Sequence, residues 1–223
     1  MPAPDMLNLK NIEHCSPELM DCYLLHLGRF LHQFAQTEND LLFLLDRYAT
    51  GIIAESYQTH IPPTKFVGRT DKLVKVVRGI IGSQRSSQIS ESIKLLMRLA
   101  PASREDLDSM SDALAQFGQI RSIRDRLMHT GALPVYEGEE WWFRTWTHNE
   151  ARERHKAHTI KFQIKHLEAM ESDLSAIRLR ASAALVTEHL GPKILAERHG
   201  AFAPWRYKHI QPEIEGRKTR KKD

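Results

Sequence analysis

The chain has 223 residues, of which 41% are hydrophobic and 27% are charged, and this is the composition of an ordinary globular protein. This length is enough to bury a core without disulfides or a structural metal, and no apolar run reaches the roughly 20 residues that cross a membrane as a helix. The formal net charge of +4 equals the charge of residues 217–223, where five basic residues accompany one acidic residue. The overall charge therefore does not indicate a nucleic-acid-binding protein, although such a tail either binds phosphates or is simply solvated.

The first half of the sequence has the pattern of helices. Ser16 followed by Pro17 is typical of an N-cap and the first helical position, and apolar residues at helical spacing follow. Thr37 with Asp40 is a second capping signal, so residues 17–58 form either one long helix with a weak joint or two helices in line. Two shorter helices are predicted over about 71–81 and 87–100.

The second half begins with another helix and then changes its periodicity. Ser103 is the predicted N-cap of a helix that runs to Gly131. Beyond it, residues 132–136 and 140–146 are rich in β-forming residues and flank a turn-like segment, which predicts a small hairpin. The last predicted element is a helix over about 160–189.

These elements predict an all-α (mainly α) fold, namely an up-and-down bundle of about five helices with a β-hairpin insertion over about 132–147. We expect a single helical domain over residues 1–210 and a basic, disordered tail over residues 211–223. The first residues lack the basic and apolar regions of a secretory signal, and Cys15 and Cys22 are expected to be reduced thiols. We therefore expect a cytoplasmic protein.

The most informative segment lies at the end of the helix that precedes the hairpin. At about 100° per residue, the apolar residues of this helix form one broad arc. Arg124 lies near the middle of that arc, and Arg121 lies near its edge. A charged side chain on an apolar face is costly unless it is paired or lies at an interface or groove. Arg124 is therefore either a functional residue or a structural one whose charge is paired internally or extended to solvent.

His129 lies in the last turn of the same predicted helix. Gly131 follows closely and is well placed to be the left-handed residue that ends the helix. The negative end of the helix dipole favours a protonated imidazole at this position. Histidine is also common at such helix ends, so the position of His129, taken alone, has a structural explanation.

The run Arg124-Asp125-Arg126-Leu127-Met128-His129-Thr130-Gly131 joins these residues in one pattern. It resembles the Arg-polar-x-x-x-His signature of the HEPN superfamily, the helical nucleotide-binding domains of prokaryotes and eukaryotes. The order of helices over roughly residues 17–190 is similar as well. HEPN toxins that are silenced by tyrosine adenylylation carry a tyrosine two positions after the histidine, where this chain has Gly131. We therefore expect no regulation of that kind.

The resemblance implies a homodimer that cleaves RNA without a metal or other cofactor, in toxin–antitoxin or phage-defence systems, with an antitoxin as a further partner. It implies that His129 acts as general base or acid and that Arg124 stabilises the charge of the transition state. Asp125 would complete the catalytic set by orienting this pair. Arg121 and Arg126 are candidate phosphate contacts, or else exposed charges of the helix.

Two other interpretations of the motif stay open. Some members of the superfamily do not cleave RNA, so the first alternative is a non-catalytic helical module that binds nucleotides or proteins. The second is a helical domain outside the superfamily, in which the spacing of Arg124 and His129 is a coincidence.

Other candidate sites have weaker patterns. The histidines that cluster after the hairpin lack the spacing of zinc ligands: His148, His155, His158 and His166. The aromatic residues of the hairpin either stack on bases or cover the core: Trp141, Trp142, Phe143 and Trp146. The sequence has no Gly-rich phosphate loop. We therefore expect neither a metal site nor a cofactor.

Overall fold

The computed structural model describes residues 15–58, 86–99, 104–145, 160–186 and 204–208. This part of the chain is mostly helical with one small antiparallel sheet, which confirms the mainly α class. In chain order the elements are α1 (Pro17–Gln58), α2 (Ser86–Leu99), α3 (Arg104–Thr130), β1 (Leu133–Glu137), β2 (Glu140–Arg144), β3 (Lys161–Phe162) and α4 (Ile164–Val186). Among these described helices, none is long and apolar enough to cross a membrane.

Helix α1 is continuous, and it begins at the predicted cap. The backbone N–H of Leu19 donates to the Ser16 hydroxyl at 3.2 Å, as an N-cap requires. The prediction of a second cap at Thr37 was wrong. Thr37 is buried in the middle of α1, and its hydroxyl donates to the Gln33 carbonyl oxygen at 2.8 Å. Because the hydroxyl donates to the preceding turn, it does not cap the start of a second helix, and residues 17–58 form one helix.

The predicted helix over about 87–100 corresponds to α2, and the helix predicted to reach Gly131 corresponds to α3. Gly131 has the left-handed conformation expected of a residue that ends a helix, with a φ of +64°. The helix predicted over 71–81, the cap residue Ser103 and the basic tail lie outside the described residues.

The chain divides into two compact units. Of the described residues, the first unit contains 15–31, 119–145, 160–171 and 207–208. The second unit contains 32–58, 86–99, 104–118, 172–186 and 204–206. The end of α3 and the whole sheet therefore belong to the first unit.

The second unit has an aromatic centre and paired polar groups. The rings of Phe34 and Phe117 stack with their centroids 5.0 Å apart, and both side chains are buried. The buried amide of Gln116 donates to an Asp173 carboxylate oxygen at 2.9 Å. A buried polar group costs stability unless it is hydrogen-bonded, so this pairing makes the polar residues compatible with the core.

The first unit contains the three-stranded sheet in the order β1-β2-β3. Gly138 and Glu139 join β1 to β2 with φ values of +58° and +66°, which is the two-residue turn that matches the twist of a hairpin. The predicted hairpin is therefore confirmed. Its buried face carries Phe143, whose ring stacks on Tyr23 of α1 at a centroid distance of 3.9 Å. Burial raises the pKa of Tyr23 to about 12, so its phenol stays protonated in this core.

The prediction that the last helix starts near residue 160 was wrong. Residues Lys161–Phe162 form the third strand instead, and Phe162 pairs with Phe143 in the sheet. The buried hydroxyl of Thr145 accepts a hydrogen bond from the Ile160 N–H at 3.0 Å, next to this pairing. Helix α4 therefore begins only at Ile164.

Two hydrogen bonds between Gln163 and His166 stabilise the start of α4. The Gln163 N–H donates to the Nδ1 atom of His166 at 2.9 Å, and the His166 N–H donates to the Gln163 carbonyl oxygen at 3.0 Å. The first of these bonds is one half of a capping box, in which His166 takes the usual place of a glutamate or glutamine, and the second is a backbone turn. Because Nδ1 accepts a hydrogen bond, the ring has to be neutral.

We expect acidification to weaken this cap. Burial, and secondarily the positive charge of Lys165, lower the pKa of His166 below its usual value of 6.5. The unfolded chain therefore binds the proton more readily, and the contribution of His166 is fully present above pH 6.5 and is lost as the pH falls through the folded-state pKa. Its loss removes one hydrogen bond, or about 1 kcal/mol.

Urea unfolding of wild type and His166→Gln measures this effect. The measurements run from about pH 7.5 to about pH 5, the range in which histidine usually titrates. Glutamine keeps an acceptor that does not titrate, so the free energy of unfolding should fall less steeply with acidification in the variant. Equal slopes in both proteins would contradict the role of His166.

Candidate functional site

The last turns of α3 are buried on one side and exposed on the other. Ile120 and Leu127 are buried, in agreement with the predicted apolar arc, and Ile123 beside the arc is buried as well. Arg124 lies within this arc by helical spacing, yet 28% of its side chain is exposed. Met128, one turn further along, is 60% exposed. The apolar arc of α3 therefore reaches the surface of the first unit at its C-terminal end.

Asp125 connects the two arginines that the sequence places on this surface. Its Oδ1 atom accepts a hydrogen bond from Nη1 of Arg124 at 2.8 Å, and its Oδ2 atom lies 3.4 Å from Nε of Arg121. The exposed fractions of the side chains are 37% for Asp125 and 29% for Arg121. One carboxylate thus accepts a hydrogen bond from Arg124 and forms an ion pair with Arg121, and these three side chains together carry one net positive charge.

His129 lies in the last turn of α3 and is exposed. The Gly131 N–H donates to the Leu127 carbonyl oxygen at 3.0 Å, which is the single hydrogen bond of a helix that ends with a left-handed glycine. This cap holds the turn that carries His129. The candidate site therefore lies on the last turns of a helix and not in a loop.

Helical geometry places Asp125, rather than Arg124, on the side of His129. Residues four apart face each other on a helix, and this is the spacing of Asp125 and His129. Arg124 precedes His129 by five residues, which corresponds to about 7.5 Å along the axis and about 140° around it. Within one chain, the arginine and histidine of the motif thus leave the helix in different directions.

Arg126 stands apart from this cluster. It follows Arg124 by two residues, which is about 200° around the helix, on the far side of the axis. Its side chain is half-buried rather than exposed, and burial lowers its pKa. The structure thus brings together Arg121, Arg124 and Asp125, and it leaves Arg126 on another face.

A partly exposed ionisable cluster elsewhere in the first unit has no recognisable pattern in the sequence. The ring of His26 lies between two carboxylates of α4, with one ring nitrogen 3.5 Å from Glu168 and the other 3.5 Å from Glu171. Residues so far apart along the chain meet only through tertiary packing, so spacing does not reveal them. Within the described part of the chain, no group of three or more histidine, cysteine, aspartate or glutamate residues is arranged to hold a metal.

For the other candidate residues that the structure describes, their contacts indicate structural roles. Phe143 is a core residue, and Trp142 is half-buried with the Lys161 ammonium 4.5 Å from its ring centroid. His166 caps α4, whereas Trp146, His148, His155 and His158 lie outside the described residues. Cys15 and Cys22 are free, and burial raises the pKa of Cys15, which disfavours a reactive thiolate.

Comparisons with protein-family models, with curated proteins and with solved structures gave no match. The arrangement of side chains at the end of α3 is therefore the basis for a functional proposal.

Proposed function

We propose that the protein is a HEPN-like, dimeric, metal-independent endoribonuclease, built as an up-and-down bundle of about five helices. The observation that supports this best is the end of α3, where the Arg124–Asp125 ion pair lies about one helical turn before an exposed His129 on a capped helix. These residues have the order and chemistry of the HEPN signature. An activity of this kind would suit a toxin–antitoxin or phage-defence system.

The residues of this site match the needs of RNA cleavage by the ribose itself. His129 takes the proton of a 2′-hydroxyl, whose oxygen then attacks the neighbouring phosphorus. The bond from phosphorus to the 5′ oxygen breaks, and that oxygen takes a proton from the histidine of the second protomer. Arg124 stabilises the negative charge that builds on the phosphoryl oxygens. The products are a 2′,3′-cyclic phosphate and a 5′-hydroxyl.

Dimerisation fits the geometry of the motif. Because Arg124 and His129 leave α3 about 140° apart, one chain does not direct both at the same phosphate. Two copies that face each other through the ends of α3 would bring two arginines and two histidines to one cleft. The exposed Met128 beside Arg124 supplies apolar surface for such a contact.

The test is incubation of the purified protein with total RNA and transfer RNA in EDTA. We expect cleavage, and the new 5′ ends should accept labelled phosphate from polynucleotide kinase without prior dephosphorylation. Absence of cleavage would reject the ribonuclease proposal. Cleavage that needs added divalent cations would reject the metal-independent mechanism, since the imidazole would then not suffice for proton transfer.

The alternative is a non-catalytic module that binds nucleotides or proteins, and the ion pair itself favours it in one respect. Arg124 already has an anionic partner in Asp125, as a structural arginine would. This alternative predicts no cleavage, together with weaker nucleotide binding by Arg124→Ala. If Arg124 only supports the fold, Arg124→Leu should bind RNA no worse than wild type does.

A further inference from the structure

The Asp125 carboxylate is held from both sides. Arg124 donates to one of its oxygens at 2.8 Å, and Arg121 lies 3.4 Å from the other. The shorter contact has the length of a strong, charge-assisted hydrogen bond. About a third of each side chain is exposed, so solvent reaches the ion pairs and their partners can exchange.

A carboxylate and a phosphate compete for the same donors of a guanidinium group. Both are anions whose oxygens accept paired N–H groups of arginine. A phosphate that takes Nη1 of Arg124 therefore has to displace Oδ1 of Asp125. Leaving a carboxylate without a partner would be costly, but Asp125 would still have Arg121 on its other oxygen.

We propose that Asp125 is an internal anion that occupies Arg124 until an RNA phosphate displaces it, and that Arg121 is the positioning residue that retains the carboxylate after this exchange. This inference rests on the proposed function, because it concerns the same site. It assigns Arg121 a role through Asp125 and not on the phosphate. Because the phosphate has to displace Asp125, RNA binds more weakly than it would to an Arg124 that had no carboxylate beside it.

The exchange gives the carboxylate a second task. Asp125 precedes His129 by one turn, which is the spacing at which an acidic and a basic side chain interact on a helix. Once the phosphate has taken Arg124, the carboxylate has lost its strongest partner and is available to the imidazolium of His129. Phosphate binding by Arg124 and the orientation of His129 thus both depend on the Arg124–Asp125 ion pair.

The first test measures binding of a fluorescein-labelled single-stranded RNA that carries 2′-O-methyl groups and is therefore not cleaved by this chemistry. Asp125→Asn removes the internal anion and keeps the shape of the side chain. We expect it to bind about two- to fivefold more tightly than wild type, the size of a partly exposed ion pair. Asp21→Asn removes an exposed carboxylate of α1 in the same unit and is the matched control for net charge. Equal tightening by both variants would overturn the proposal.

The second test is a double-mutant cycle with Arg121→Gln, measured with the same RNA. If Arg121 acts through Asp125, its substitution weakens binding in the wild-type background and has a smaller effect, less than about twofold, when Asp125 is already asparagine. A direct contact between Arg121 and a phosphate predicts the same loss in both backgrounds. That result would overturn the positioning role.

The two proposals fail in different ways. If Asp125→Asn tightens RNA binding but no protein cleaves RNA in EDTA, the ribonuclease proposal is rejected and the internal anion is retained. If wild type cleaves RNA while Asp125→Asn and Asp21→Asn bind it alike, only the internal anion is rejected. If no variant binds the RNA, both are rejected. Thermal melts establish that each variant is folded before its binding is measured.

Discussion

The His129→Ala variant is expected to cleave RNA about 10²- to 10⁴-fold more slowly than wild type, which is the usual contribution of a positioned acid or base. Alanine removes the group that accepts the 2′-hydroxyl proton and leaves Arg124 and Asp125 in place. RNA binding should therefore stay within about twofold of wild type, because binding depends mainly on the arginines. The loss should fall on kcat and not on KM.

Single-turnover cleavage in EDTA, with protein in excess over a defined RNA, measures this rate directly. The matched control is His32→Ala, since His32 is also an exposed helical histidine, and its Nε2 atom lies 2.9 Å from the side-chain nitrogen of Gln36. A contaminating nuclease would be equally active in both preparations. Cleavage by His129→Ala at the wild-type rate would remove His129 from the mechanism.

The fold should tolerate this substitution. His129 is exposed, so its replacement should change the free energy of unfolding by less than about 0.5 kcal/mol. The cap at Gly131 is formed by the backbone and does not depend on the histidine side chain. A large drop in melting temperature would therefore point to a structural role for His129.

Local signals allowed the sequence to predict the start of α1 and the end of α3, the helix that carries the site. Ser16 and Gly131 act through their own hydroxyl and their own φ angle, so their effect depends on a few neighbouring residues. Thr37 misled the prediction for the same reason. Its hydroxyl has two local options, and the buried surroundings in α1 select the bond to the preceding turn.

Contacts between distant segments account for what the sequence did not predict. Lys161–Phe162 is too short to have a strand pattern of its own, and it becomes a strand only because Phe162 pairs with Phe143. His26 of α1 likewise meets its two carboxylates only because they lie on another helix, α4. Such pairings are set by the fold, and spacing along the chain does not encode them.

The candidate site lies between these cases. The helical wheel correctly indicated that Arg124 needs a partner or a groove, because the wheel gives the direction of the Cα–Cβ bond. It did not identify Asp125 as that partner, since the long arginine side chain chooses its own rotamer and can leave the arc. The role of Arg121 on the second oxygen of Asp125 depends on the same choice.

The second large effect is expected from Phe143→Ala, which should lower the free energy of unfolding by about 3–5 kcal/mol. Phe143 is buried, stacks on Tyr23 at a centroid distance of 3.9 Å and lies 6.0 Å from the ring of Phe162. Alanine leaves a cavity where three aromatic rings meet. The lost burial and the lost ring contacts both act against the folded state, because aromatic pairs add stability beyond the area that they bury.

Urea unfolding monitored by circular dichroism measures this loss, and Tyr136→Ala provides the matched control. Tyr136 lies in the same hairpin and contacts Trp141 at a ring-centroid distance of 5.2 Å, but it is 49% exposed, so its loss should cost about 1 kcal/mol. β1 follows α3 directly in the chain. The packing that fixes the hairpin therefore also fixes the strand that comes after the Arg124–His129 motif. A loss of only about 1 kcal/mol in both variants would contradict the role of Phe143 as a core residue of the first unit.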